Sequence, residues 1–181
     1  METCILMGGF GGQGVQTCGQ LLAHGLNETN KHFTYYSQYG GAMRGGTSNC
    51  TVISSDEEIG SPSKQLLDYV AAFNIPSFNA FEKRVKPGGT IIVNSSIIPA
   101  ELYQRDDIAH IECEANRIAE EIGSMKVLNI VMLGFICELT GIAPPEVMKG
   151  VVLERMAKKP EFLAMNERAF DTGVGAAKAR A

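Results

Sequence analysis

The stretch Thr3-Cys-Ile-Leu-Met-Gly-Gly-Phe-Gly-Gly-Gln-Gly-Val15 decides the fold. Residues 3–7 form a short apolar run that ends on glycine, the pattern of a buried strand. Residues 8–14 follow as Gly-Gly-Phe-Gly-Gly-Gln-Gly, and Gly9-Phe-Gly-Gly-Gln-Gly14 satisfies G-x-G-x-x-G. From residue 15 to about 28, Val15, Cys18, Leu22 and Leu26 recur at three- and four-residue steps, which places them on one helix face. A strand, a glycine turn and a helix make the first unit of a doubly wound sheet. Glycines there let the chain turn sharply and let backbone N–H groups approach an anion at the helix N-terminus.

The pattern continues outward from this unit. Strands are predicted over residues 32–36, 47–54, 68–74, 90–94 and 108–113, with a short return strand beginning at Ile59. A helix opens at Ile75-Pro76, and Pro87-Gly88-Gly89 reads as a turn. Beyond residue 113 the chain reads as helices over 115–122, 128–140, 145–156 and 161–177, with Gly141 as a C-terminal cap. The expected architecture is α/β: a single doubly wound, mostly parallel sheet with helices on both faces. This is a Rossmann-like three-layer sandwich with a helical C-terminal third. At 181 residues, with no repeat or linker-like tract, one domain spanning residues 1–181 is the simplest organisation.

Composition narrows the function. The net charge is −4 and both signs are scattered, so no basic arm points to nucleic acid or a membrane surface. No stretch approaches the ~18 apolar residues of a membrane span. The five cysteines, Cys4, Cys18, Cys50, Cys113 and Cys137, contain no Cys-x-x-Cys pair. They read as buried reduced thiols in a cytoplasmic protein, not as disulfides, zinc ligands or a local iron–sulfur site.

The first glycine loop lacks the partners that would make it a nucleotide fingerprint. No acid occurs between Glu28 and Asp56 to hold a ribose, and Val15-Gln16-Thr17 stands where a P-loop lysine would be. Two readings stand: tight helix–strand packing, or a backbone cradle for a phosphate, carboxylate or partner loop. The second loop, Ser37-Gln-Tyr-Gly-Gly-Ala-Met-Arg-Gly-Gly46, is placed by the topology at the same carboxyl edge of the sheet. Its cation, Arg44, stands among four glycines and suits carboxylate or phosphate. The candidate anion- or partner-binding residues are Gly11, Gly12, Gln13, Gly14, Tyr39, Met43, Arg44, Gly45, Gly46, Thr47, Ser48 and Asn49. Neither loop holds a general base or nucleophile, and His24, His32 and His110 read as surface or satisfied core histidines. No residue is therefore assigned a catalytic or metal-binding role.

The blocks Gly9-Phe-Gly-Gly-Gln-Gly-Val15, Tyr39-Gly-Gly-Ala-Met-Arg-Gly-Gly-Thr-Ser-Asn-Cys50 and Ile59-Gly-Ser-Pro62 resemble the gamma subunit of 2-oxoacid:ferredoxin oxidoreductases. Lys86-Pro-Gly-Gly-Thr-Ile-Ile-Val-Asn-Ser95 and Asn129-Ile-Val-Met-Leu-Gly134 extend the resemblance over about residues 6–170. Within the family the chain looks closest to the 2-oxoglutarate (KorC-type) enzymes; pyruvate, branched-chain ketoacid and indolepyruvate enzymes carry similar domains. One departure is Gly41-Ala42, where the family commonly has Pro-Glu. The resemblance implies a complex that decarboxylates a 2-oxoacid, transfers the acyl group to coenzyme A and reduces ferredoxin. Thiamine diphosphate with magnesium would lie on alpha and beta partner subunits, and iron–sulfur clusters on a ferredoxin-like subunit or domain. This chain would bind no cofactor alone and could form a homodimer when isolated. Two alternatives stay open: a stand-alone dinucleotide-binding oxidoreductase and an anion-binding regulatory module.

Overall fold

The computed structural model describes residues 2–39, 47–157 and 160–180. Six strands, β1 (Glu2–Phe10), β2 (His32–Tyr39), β3 (Thr47–Ser55), β4 (Leu67–Ala72), β5 (Val85–Asn94) and β6 (Ala109–Cys113), form one sheet in the order β2-β3-β1-β4-β5-β6. The helices are α1 (Val15–Asn27), α2 (Ile75–Phe81), α3 (Ala115–Ile122), α4 (Leu128–Thr140), α5 (Pro145–Met156) and α6 (Leu163–Lys178). No helix among the described residues is long and apolar enough to cross a membrane.

Pairing is parallel from β1 through β4, β5 and β6. β3 runs antiparallel to both β1 and β2, so it is the reversed strand of an otherwise parallel sheet. The mostly parallel sheet expected from the sequence holds, with this one addition. The reversal follows from chain length. Only residues 40–46 separate β2 from β3, and a parallel crossover needs a dozen or more. The return strand expected at Ile59 does not form. Instead Ile59 packs its side chain against the core around Leu6, Val70 and Phe78.

β1 is buried on both faces, which explains its unbroken apolar run. Ile5 and Met7 face a core shared with Cys50, Val52, Ala71 and Ile92 and covered by α1 and α3 to α6. Cys4 and Leu6 face a second core with Ile53, Val70, Ile91 and Val93. There α2 supplies Phe78, and the connection from β5 to β6 adds Ile98, Leu102, Tyr103 and Ile108. Helices thus lie on both faces, but of the six α-helices among the described residues five lie on one.

The helical last third forms around α4. Residues Leu128 to Cys137 of that helix are all buried, as expected of a helix that is apolar on every side. It meets the sheet side of the core and also α6, where the two backbones come close at Gly134 and Gly173. Gly141 ends α4 at φ 61°, the left-handed cap read from the sequence. Pro87-Gly88-Gly89 lies inside β5, where its pairing with β4 shifts register between Leu67 and Tyr69.

Candidate functional site

The first glycine loop divides into two parts with different work. Gly8 and Gly9 belong to β1. A Cβ on Gly8 would lie 2.8 Å from the Phe81 ring, and one on Gly9 2.7 Å from Val15 Cγ2. These two glycines let α2 and α1 pack directly onto the strand. Gly12 and Gly14 make the turn, with φ 101° and 75°. Gly14 is the N-cap of α1, which has no capping side chain and no acid in its first turn. Packing and turn therefore share the loop, and its turn half leaves a helix N-terminus open to an anion.

Gln13 fixes that turn. Its side-chain carbonyl accepts from the Phe10 N–H at 2.7 Å and from Asn74 Nδ2 at 2.8 Å. Asn74 in turn caps α2 by accepting from the Ser77 N–H at 2.9 Å. One glutamine thus ties the ends of β1 and β4 together at the carboxyl edge. Gly11 is exposed beside it.

Gly40, Gly41, Ala42, Met43, Arg44, Gly45 and Gly46 lie outside the described residues, as does the side chain of Tyr39. The strands that flank them are described. Thr47, Ser48 and Asn49 pair with Phe10, Gly9 and Gly8, so β2 ends and β3 begins at the sheet edge that carries the first loop. Gln16 of α1 binds this junction, donating to Ser48 Oγ at 3.0 Å and to the Asn49 carbonyl at 2.9 Å. Tyr35 donates to Gln16 Oε1 at 2.5 Å. The Asn49 side-chain oxygen is buried with no hydrogen-bond donor among the described residues. Thr47 is exposed.

Next to this edge is a cleft of about 480 Å³. Its lining joins Gly12, Gln13, Gly14 and Thr17 to residues of the C-terminal helices: Met125, Lys126, Val127, Asn129, Ile130, Arg155, Met156, Phe162 and Asn166. Lys126 Nζ lies 5.7 Å above the centre of the Phe162 ring. Arg155 Nη2 is 2.9 Å from His24 Nδ1. Asn129 presses against Gly14, where an added Cβ would come within 2.7 Å of its amide nitrogen. The sequence reading assigned none of these C-terminal residues to the site. Each sits at or near a helix end, far along the chain from the glycine motif, and no spacing rule connects them.

The histidines are where the sequence placed them. His110 lies 3.0 Å from Glu82 and stacks on Tyr103 with ring centroids 4.6 Å apart, a satisfied and largely buried group. His32 is exposed. All five cysteines are free and buried. Burial pushes Cys4, Cys50 and Cys113 up to about 12, and raises Cys18 and Cys137 well above the ordinary thiol value. Such thiols are poor nucleophiles. Among the described residues no group of three His, Cys, Asp or Glu side chains could hold a metal ion.

Comparison with known proteins fits this geometry. The family model for pyruvate ferredoxin/flavodoxin oxidoreductase matches residues 4–176. The ketoisovalerate oxidoreductase subunit VorA of Methanothermobacter marburgensis is 32% identical over 174 residues, which is 95% of this chain and 36% of that protein. The chain thus spans about a third of the length of that relative. The 2-oxoglutarate synthase subunit KorC of Methanocaldococcus jannaschii is 32% identical over 180 residues, covering 98% of this chain and 95% of that one. Among solved structures, the keto/oxoacid ferredoxin oxidoreductase gamma subunit of Geobacter sulfurreducens superposes with TM-score 0.87 at 26% identity, over 99% of this chain and 98% of that chain. The 2-oxoglutarate:ferredoxin oxidoreductase of Magnetococcus marinus, solved with 2-oxoglutarate, coenzyme A and succinyl-CoA bound, shares the fold. It gives TM-score 0.88 at 24% identity over 99% of this chain and 32% of that one. The chain belongs to the pyruvate ferredoxin/flavodoxin oxidoreductase family.

Proposed function

We propose that this chain is the gamma-type subunit of a cytoplasmic 2-oxoacid:ferredoxin oxidoreductase whose substrate is 2-oxoglutarate. The observation that carries the reading is the near end-to-end match to a KorC subunit, 98% of one chain against 95% of the other. In this reading the complex oxidatively decarboxylates the 2-oxoacid, passes the acyl group to coenzyme A and delivers electrons to ferredoxin. Thiamine diphosphate, magnesium and iron–sulfur clusters belong to the alpha, beta and ferredoxin-like partners. The site supports that division of labour. Its carboxyl edge offers backbone N–H groups and cations, while the thiols near it are buried and protonated.

The two glycine loops would then face the shared active site and help hold or admit coenzyme A. Arg44 would meet a phosphate of that substrate or a carboxylate of a partner subunit. In the reconstituted complex, Arg44→Ala is expected to raise the KM for coenzyme A at least fivefold or to weaken assembly. A variant with normal assembly and an unchanged KM would remove Arg44 from the account.

A further inference from the structure

Strand β2 closes one edge of the sheet, so half of its backbone N–H and C=O groups have no strand beside them among the described residues. Free edges are normally made short, charged, bulged or interrupted by proline, which keeps strands of other chains from adding to them. β2 shows none of these devices. It has eight residues and contains no Lys, Arg, Asp, Glu or Pro. Its register with β3 runs unbroken from His32 to Tyr39, without a bulge. The opposite edge is protected. There β6 has five residues, includes Glu112 and follows closely on Arg105, Asp106 and Asp107.

The neutrality extends to the helix packed on this strand. From Thr3 to Ser55 only Glu28, Lys31 and Arg44 are charged, although charged residues make up 20% of the whole chain. Burial of β1 explains part of this, but α1 and β2 both reach the surface. Gln16, Gln20, Ala23 and Asn27 recur at three- and four-residue steps and so share one side of α1. Gln16 holds the Tyr35 hydroxyl of β2, which sets that neutral side beside the strand. Tyr36 points to the other face of the sheet, where Thr34 pairs with Ile53 of the second core. The α-helix on that face, α2, packs on β1 and β4 and leaves Tyr36 43% exposed. A neutral edge narrows the choice of partner. Across a twofold axis each residue near the axis meets its own copy, so a charged strand repels itself and a neutral one does not.

We infer that two copies of this chain pair through β2, strand against antiparallel strand, about a twofold axis perpendicular to the sheet and centred on Tyr36. Tyr36 stands opposite its own copy and Thr34 opposite Gln38, and two six-stranded sheets become one continuous sheet. The free N–H and C=O groups of each β2 satisfy those of the other, and the facing tyrosines add an aromatic cross-strand pair. The axis reverses strand direction, so the two glycine turns lie at opposite ends of the pair.

Analytical ultracentrifugation of the full chain tests the pairing. The wild type should sediment as a dimer. Tyr36→Lys, which sets two like charges opposite each other, should weaken that dimer at least tenfold while keeping the native circular dichroism. Tyr36→Cys tests the register, because directly opposite Cβ atoms lie ~4.5–5.5 Å apart, close to what a disulfide spans. It should link into a covalent dimer under mild oxidation, and the wild type, whose five thiols are buried, should not. A monomeric wild type would overturn the pairing, as would a Tyr36→Lys variant that stays fully dimeric. A dimeric Tyr36→Cys variant that forms no link would overturn the axis at Tyr36. Should Tyr36→Lys fail to fold, the cysteine variant decides alone. The dimer stands apart from the 2-oxoacid reading. A dimeric chain that supports no 2-oxoacid oxidation in the reconstituted complex removes that function alone, and a working complex built with a monomeric chain removes the dimer alone.

Discussion

At the scale of single residues, the cysteines show how burial sets chemistry. Each is enclosed by apolar neighbours, and removing a thiolate from water is what raises its pKa. The consequence for stability has a definite sign. The unfolded thiols titrate near 9.0, and folded Cys4, Cys50 and Cys113 near 12. Above pH 9 the folded state therefore retains protons that the unfolded state has lost. The thiol contribution is fully present below pH 9 and falls as pH rises toward 12. Each buried thiol steepens the loss by up to about 1.4 kcal/mol per pH unit. Denaturant melts between pH 8 and 11 should show this decline, and Cys50→Ala should make it shallower. A pH-independent midpoint across that window would contradict the burial. The sequence already pointed to these thiols, because apolar neighbours and the lack of a Cys-x-x-Cys pair are local signals. Gln13 was visible only as part of a motif, and its bonds to Phe10 and Asn74 needed β4 to be placed beside β1.

At the scale of elements, the boundaries of α3, α4 and α5 coincide with those read from periodicity and caps. The strands run longer than their apolar cores: β1 continues through Gly8, Gly9 and Phe10, and β2 through Tyr39. Ladder pairing to β3 extends both, and pairing is a non-local property that a strand's own residues do not announce. The α4–α6 contact was equally hidden, since two glycines 39 residues apart have no sequence relation until the helices cross. A Cβ on Gly173 would lie 2.1 Å from the Val131 carbonyl oxygen, and one on Gly134 2.3 Å from that of Phe170. Backbone cannot yield as a flexible side chain can. Gly173→Ala should therefore destabilise by about 2 kcal/mol or more, because overpacking outweighs the ~1 kcal/mol gained in helix propensity. Gly150→Ala in α5, where a Cβ meets open space, should instead stabilise by roughly 0.5–1 kcal/mol. Urea unfolding of the two variants should give opposite signs, and a stabilised Gly173→Ala would refute the close helix crossing.

At the scale of the whole molecule, the fold brings distant parts of the chain to one sheet edge. The α/β class and most of the element order were legible in the sequence, as was the first glycine turn between β1 and α1. The inserted β3 and the unequal covering of the two faces were not, because they depend on connection length and on which elements pair. Of the candidate site, the glycine turn could be read from sequence. Lys126, Asn129, Arg155 and Asn166 could not, since folding alone draws the C-terminal helices to the N-terminus of α1. The resulting surface gathers two cations and a helix N-terminus, and all five thiols are buried away from it, which fits a chain that works with partners. The most direct test is to assemble the thiamine-binding and ferredoxin-like subunits with and without this chain and to follow electron transfer to ferredoxin, driven by 2-oxoglutarate and dependent on coenzyme A. The account predicts turnover only when the chain is present, with 2-oxoglutarate preferred over pyruvate and branched-chain 2-oxoacids. Full turnover without the chain, or nicotinamide-dependent oxidation by the chain alone, would contradict it.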